Sequence, residues 1–219
     1  MDINKYAQNL KEKVTHGKFD GSRLPSPKDQ TGHEALLQTN LPLYLEIGCG
    51  AGLHPVLFAK NNMNSHLLAF ERTKEKFEKF LRRVTSHQLK NVTPIYEDAL
   101  NWLYPKREIF QHQFSGLFLL YPNPYPKNSQ RNKRFLASSS FQFLLSLLKA
   151  EANIEIRSNE LWYLEEAIFL AENVWDLKNE GLIKVRELDQ IQQGLTHFER
   201  KYLKEGQDCW QLTLSQLLP

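Results

Sequence analysis

The stretch LEIGCGAG, residues 45–52, is an apolar run that ends in glycines at alternate positions, and it is followed directly by HPVLFAKNN. The run reads as a buried β-strand and the segment after it as a helix, with Pro55 tolerated in the first turn. Glycines at such a junction let the backbone come close to a ligand at the carboxyl end of the strand, beside a helix N-terminus, where open α/β sheets bind nucleotides. The pattern is not G-x-x-x-x-G-K-[ST]. Nor is it the full G-x-G-x-x-G, whose last position falls on Leu53. Taken alone, these eight residues are a weak signal, since a tight turn that holds nothing can also produce them.

Working outward, the same rhythm repeats. HLLAFE reads as a second strand, and TKEKFEKFLRRVTSHQ places Phe77, Phe80, Leu81 and Val84 at i, i+3, i+4 and i+7, an amphipathic helix with Thr73 as its N-cap. NVTPIYE is strand three, DALNWL a short helix, and SGLFLLY a fourth strand apolar enough to be covered on both faces. FLASSSFQFLLSLLKA reads as a helix, NIEIR as strand five, ELWYLEEAIFLAENV as the next helix, and LIKVREL and CWQLTLS as two last strands. Strands alternating with helices predict an α/β fold, Rossmann-like, with a mostly parallel seven-stranded sheet and helices on both faces. Residues 1–40, with GSRLPSPKDQTGHE as loop, read as a polar N-terminal extension carrying one short helix, and residues 41–219 as the domain proper.

The chain has 219 residues, 41% of them hydrophobic, enough for one sizeable core. No apolar run approaches the roughly 20 residues of a membrane span, and MDINKYAQNLKEKV is too charged for a secretory signal. A soluble, cytoplasmic protein without membrane attachment is expected. The two cysteines, Cys49 and Cys209, have no Cys-His cluster near them, so neither a disulfide framework nor a metal site is expected. A net charge of +3 permits a nucleic-acid partner without requiring one.

Three acids sharpen the reading of the glycine turn. Glu46 precedes it, Glu71 ends strand two, and Asp98 ends strand three. A carboxylate after strand two suits a pair of ribose hydroxyls, and one after strand three suits an adenine amino group. Each has a plainer explanation by itself, Glu71 as a helix N-terminal charge and Asp98 as the N-cap of the helix starting at Ala99. As a set with Gly48, Gly50 and Gly52, and with Arg72 and Ala99 adjoining, they point to S-adenosylmethionine.

A further stretch, LLYPNPYPKNSQRNKRF, residues 119–135, ends strand four in two Pro-X-Pro steps and then carries Lys127, Arg131, Lys133 and Arg134. Prolines fix an extended exit from the strand and delay the next helix. Tyr121 and Tyr125 read either as purine-stacking rings or as packing against the prolines. Together with LEIGCGAG, SNELWYLEEA and THFERKYLKEGQDCWQL, this stretch resembles the bacterial tRNA (guanine-N7-)-methyltransferases from about Leu43 to the C-terminus. The resemblance implies a class I methyltransferase fold, tRNA as partner, Asn123 at the catalytic position, and Lys127, Asn159, Thr196 and Glu199 toward the target nucleotide. It also implies Arg131, Lys133 and Arg134 on the RNA backbone.

The chain departs from the family at telling places. The family's P-D-P-W step is Pro122, Asn123, Pro124 and Tyr125 here, its T-D step is Ser158 and Asn159, and its T-K-F-E segment is Thr196, His197, Phe198 and Glu199. Two carboxylates have become amides. Guanine N7 carries a free lone pair at neutral pH, so its methylation needs alignment and charge stabilisation rather than a general base. Replacing a charge-assisted hydrogen bond by a neutral one costs about 1 to 1.5 kcal/mol, or about tenfold in rate for each. Three readings stay open: a tRNA guanine-N7 methyltransferase, a methyltransferase of this fold on another acceptor, and a non-catalytic tRNA-binding paralogue. The sequence leaves monomer and homodimer equally open.

Overall fold

The structure, a computed structural model, describes residues 2–17, 19–28, 36, 40–187 and 194–216. Part of the loop expected over residues 21–34, and Leu188 of the expected sixth strand, lie outside the described residues. The helices are α1 (Ile3–His16), α2 (Leu53–Asn61), α3 (Lys74–Ser86), α4 (Ala99–Leu103), α5 (Arg107–Phe110), α6 (Ser140–Ser146), α7 (Leu161–Val174) and α8 (His197–Lys204). The strands are β1 (Leu43–Ile47), β2 (His66–Phe70), β3 (Val92–Ile95), β4 (Phe114–Leu120), β5 (Leu148–Ser158), β6 (Leu177–Lys184) and β7 (Trp210–Gln216). They form one sheet of order β3-β2-β1-β4-β5-β7-β6. Strands β1 to β5 pair in parallel, and β7 enters antiparallel between β5 and β6. The expected Rossmann-like α/β architecture is present.

Strand composition explains the two covered faces. Every residue of β2 is buried, and its side chains alternate between two cores: Leu68 and Phe70 join one, Leu67 and Ala69 the other. The first core holds Trp102, Phe110, Phe114 and Phe141 beneath α4 and α7; the second holds Phe58, Phe80 and Val84 from α2 and α3. Each such fully buried ring or branched side chain contributes about 1.5 to 3 kcal/mol of transfer free energy. Pro94 is accommodated in β3 because that strand is an edge of the sheet.

Three sequence expectations change. Leu81 lies on the solvent side of α3, 45% exposed, so the apolar stripe is carried by Phe77, Phe80 and Val84. Only Ser140–Ser146 of the segment read as one long helix is helical, and Leu148 already belongs to β5. Helix α1 docks on the sheet's first core through Ala7 and Leu10. The Tyr6 hydroxyl donates to the Ala137 carbonyl at 2.6 Å, and Gln142 Nε2 donates to the Val14 carbonyl at 2.8 Å. Among the described residues, no helix is long and apolar enough to cross a membrane.

Candidate active site

The strand order reverses at β1, where β2 lies on one side and β4 on the other, and the carboxyl ends of these strands open into a cavity of about 620 Å³. This is where open α/β sheets bind ligands, and the volume lies within the ordinary range for small-molecule sites. One wall comes from Gly48, Glu71, Arg72, Asp98 and Ala99; the facing wall comes from Tyr121, Asn123, Tyr125, Lys133 and Asn159. A smaller lobe of about 290 Å³ adjoins it behind the glycine turn, floored by Glu46 and His54.

The glycines divide by task. Gly48 and Gly50 have φ of +81° and +60°, and a Cβ on either would meet open space, as a cradle for a ligand requires. Gly52 faces the other way. A Cβ there would overlap the Phe80 ring, so its role is helix packing, which corrects its expected place among the donor-binding residues.

The acids are anchored by the backbone. Glu71, 5% exposed, accepts from the Gly50 N–H at 2.9 Å through Oε2 and from the Thr73 N–H at 2.6 Å through Oε1. Each oxygen keeps a second lone pair for a ribose hydroxyl. Asp98 Oδ1 accepts from the Leu100 N–H at 3.0 Å, capping α4, while its carboxylate still lines the cavity. The plain and the functional readings of Asp98 therefore coexist. Glu46 is turned from the main cavity into the smaller lobe, where it bonds His54 Nδ1 at 2.8 Å. Glu97, which the sequence reading passed over, is also buried at the cavity wall, accepting from the Asp98 N–H at 2.8 Å and the Lys28 N–H at 2.5 Å. Its signal was adjacency to Asp98. The open cradle, Glu71 and Asp98 fit the adenosine donor expected from the sequence. Burial, reinforced by Glu46 and Glu71, pushes the Cys49 thiol well above its usual range and keeps it an inert wall group.

On the facing wall the Pro-X-Pro loop is a built turn. Asn123 Oδ1 accepts from the Tyr125 N–H at 3.1 Å, and Tyr121 and Tyr125 hold φ of +53° and +45°. With its oxygen committed to the turn, Asn123 offers the cavity its amide N–H groups; this assignment follows from the hydrogen-bond pattern. Asn159 lines the same cavity, 3.4 Å from Glu160 and from Gln207.

Three sequence-predicted substrate residues, Arg131, Arg134 and Glu199, need correction. Arg131 and Arg134 are buried, 8% and 3% exposed, and both bond Glu166 of α7, at 3.1 Å and 2.6 Å. Arg134 also donates to the carbonyls of Pro124 and Tyr125, at 3.1 Å and 2.8 Å, and so clamps the Asn123 loop. Only Lys127 and Lys133 of the four basic residues are exposed. Glu199 is fully buried: its oxygens accept from Arg157 at 3.1 and 3.2 Å, from the Leu195 N–H at 2.8 Å, and from the Tyr121 hydroxyl at 2.9 Å. Burial and the Glu199 carboxylate push the Tyr121 phenol upward, so it remains a donor. Thr196 caps α8 by accepting from the Glu199 N–H at 3.0 Å, and thus takes the first position of an S/T-x-x-E capping sequence beside the smaller lobe. At the start of α7, Tyr163 is core, and Trp162 stacks under Arg134 at 4.8 Å.

Comparison with known proteins agrees with this architecture. A family model described as "Putative methyltransferase" matches residues 40–212. The tRNA (guanine-N(7)-)-methyltransferase of Helicobacter pylori (strain ATCC 700392 / 26695) is 26% identical over 97% of this chain and 52% of its own length. That of Aquifex aeolicus (strain VF5) is 28% identical over 80% of this chain and 57% of its own. The chain thus spans little more than half the length of these relatives. Among solved structures, the 16S rRNA methyltransferase KamB superposes with a TM-score of 0.65 at 18% identity, over 92% of this chain and 99% of that one, a likeness of fold. With the family model covering most of its length, a glycine cradle at the switch point and the sheet order to match, the chain belongs to this methyltransferase family.

Proposed function

We propose that the protein is an S-adenosylmethionine-dependent methyltransferase that modifies N7 of a guanine in tRNA. The observation that carries this reading is the two-sided cavity: acids suited to a nucleoside donor on the β2–β3 side, and the amides Asn123 and Asn159 on the β4–β5 side, about one cavity of about 620 Å³. The names of the relatives supply the acceptor class. Residues 41–219 are the methyltransferase domain in this reading, and residues 1–40 an N-terminal extension whose helix α1 packs on it.

S-adenosylmethionine, when bound, supplies a methyl group on a positively charged sulfur. Gly48 and Gly50 cradle it, Glu71 takes its ribose hydroxyls, and Asp98 its adenine amino group. The acceptor nitrogen needs no base, so what the chain contributes at the purine is alignment. Asn123, held by its own turn and by Arg134, donates to guanine O6, an acceptor beside N7. That hydrogen bond replaces the carboxylate interaction of the resembling family and makes Asn123 a donor where the family has an acceptor. Lys127 and Lys133 meet phosphate.

The test is transfer of labelled methyl from S-adenosylmethionine to tRNA lacking N7-methylguanosine, by the wild type and by Asn123→Asp with Asn159→Asp. Wild-type transfer to guanine N7, reduced in the double variant, is the expected result. Donor binding without any transfer to tRNA, in both proteins, overturns the reading.

A further inference from the structure

The burial of Arg131 and Arg134 removes half of the expected basic patch, and beyond Lys127 and Lys133 a second set of cations lies beside the cavity. On α3, Lys76, Lys79 and Arg83 recur at i, i+3 and i+7 and so share one side of the helix. On α8, His197, Lys201 and Lys204 recur at i, i+4 and i+7. The two stripes are joined: Arg83 Nη1 lies 3.0 Å from His197 Nε2, and Lys76 Nζ stands 5.9 Å from the Phe198 ring centroid. Lys76 lines both lobes of the site and Lys79 the smaller one. Phe198, 48% exposed, stands where the lobes meet.

We infer that the α3–α8 ridge is the track along which the tRNA phosphate backbone reaches the cavity, with Lys76, Lys79, Arg83, Lys201 and Lys204 as its phosphate-binding residues. The inference rests on the tRNA reading above and adds a surface to it. Acidic neighbours do not cancel the charge. Glu75 pairs with Lys79 at 2.6 Å and Glu205 with Lys201 at 3.9 Å, both as exposed i,i+4 pairs of the kind that counts for little against a polyanion. Among the described residues, no carboxylate pairs with Lys76 or Lys204. Glu199 is spent on Arg157 below the surface. His197 registers the local field: partial burial, then Arg83, Arg200 and Lys79, hold it below its usual pKa, so the ridge stays cationic at neutral pH without it. The exposed aromatic ring at the end of the stripe suits a base leaving the stack.

The test is tRNA binding by the full chain with Lys201→Gln and Lys204→Gln together, two residues outside the cavity walls, followed from 50 to 200 mM salt. Removing one lysine–phosphate interaction should flatten the slope of log K against log salt by about 1, so the double variant should lose about 2 from the slope and bind about 100-fold more weakly at about 100 mM. Donor affinity should not change, and Lys201→Arg with Lys204→Arg should restore both values. An unchanged slope and affinity, in a double variant that folds and beside a wild type that binds and methylates tRNA, overturns the ridge alone. A wild type that binds the donor but not tRNA overturns the proposed function and this inference with it.

Discussion

Glu199 offers the most decisive test of how the β4–β5 side of the cavity is built. Its carboxylate is fully buried and receives Arg157, itself 3% exposed, along with a backbone N–H and the Tyr121 phenol. Removing one partner of a buried pair costs about 3 to 5 kcal/mol. Arg157 keeps Glu155 at 2.7 Å and Gln211, which places Glu199→Ala near the low end, about 3 kcal/mol. Glu199→Gln keeps the volume and one acceptor but turns an amide N–H2 toward the guanidinium or the phenol. A cost of about 2 kcal/mol follows from the lost charge assistance and one unpaired donor. Against a total stability of about 5 to 15 kcal/mol, either loss is large. Urea unfolding at neutral pH reads it as a lower midpoint at unchanged slope. The reasoning is refuted if Glu199→Gln leaves the midpoint where it was while tRNA affinity falls tenfold, because that pattern belongs to a residue that touches the nucleotide.

Two further outcomes follow from the site. Asp98→Asn keeps a capping oxygen, so the melting temperature should hold, while donor affinity measured by titration falls about tenfold; Asp98→Ala should lose the cap as well, about 1 kcal/mol. His197 has its folded pKa below the usual 6.5, so the folded state resists protonation there. Its contribution is complete above about pH 6.5 and is lost as pH falls toward the lowered value, a small effect for an exposed ring. His197→Gln should flatten that part of the stability–pH profile, measured by urea midpoints in a pH series.

Most of the fold was legible because the alternation of apolar runs and amphipathic segments is regular, and because β2 and β4 are mostly apolar on both faces, as strands covered twice are. The boundary between α6 and β5 was not. FQFLLSLLKA is apolar without a period, and such a run says buried without saying helix or strand. The β2–β3 wall of the cavity was legible through local signals, a glycine turn and acids at strand ends. On the β4–β5 side, Arg134 and Glu166 stand 32 residues apart, and Arg157 and Glu199 stand 42 apart. A basic run reads as surface until its acid is known, and neither acid is near in sequence. Likewise Gly52 looks like its two neighbours until Phe80, a helix away, is seen against it.

The Asn123 loop carries a thermal consequence. Two non-glycine residues in the left-handed region, Tyr121 and Tyr125, cost about 1 kcal/mol or more each, and the loop's own chemistry does not favour that shape. It is imposed from outside, by the Arg134 guanidinium on two loop carbonyls and by Glu199 on the Tyr121 hydroxyl. On warming, a segment held this way relaxes once its clamps loosen, while the sheet below it is still intact. On the proposed function, acceptor alignment should therefore decay at a temperature below the melting midpoint, and inactivation should begin as the slackening of one loop rather than as loss of the fold.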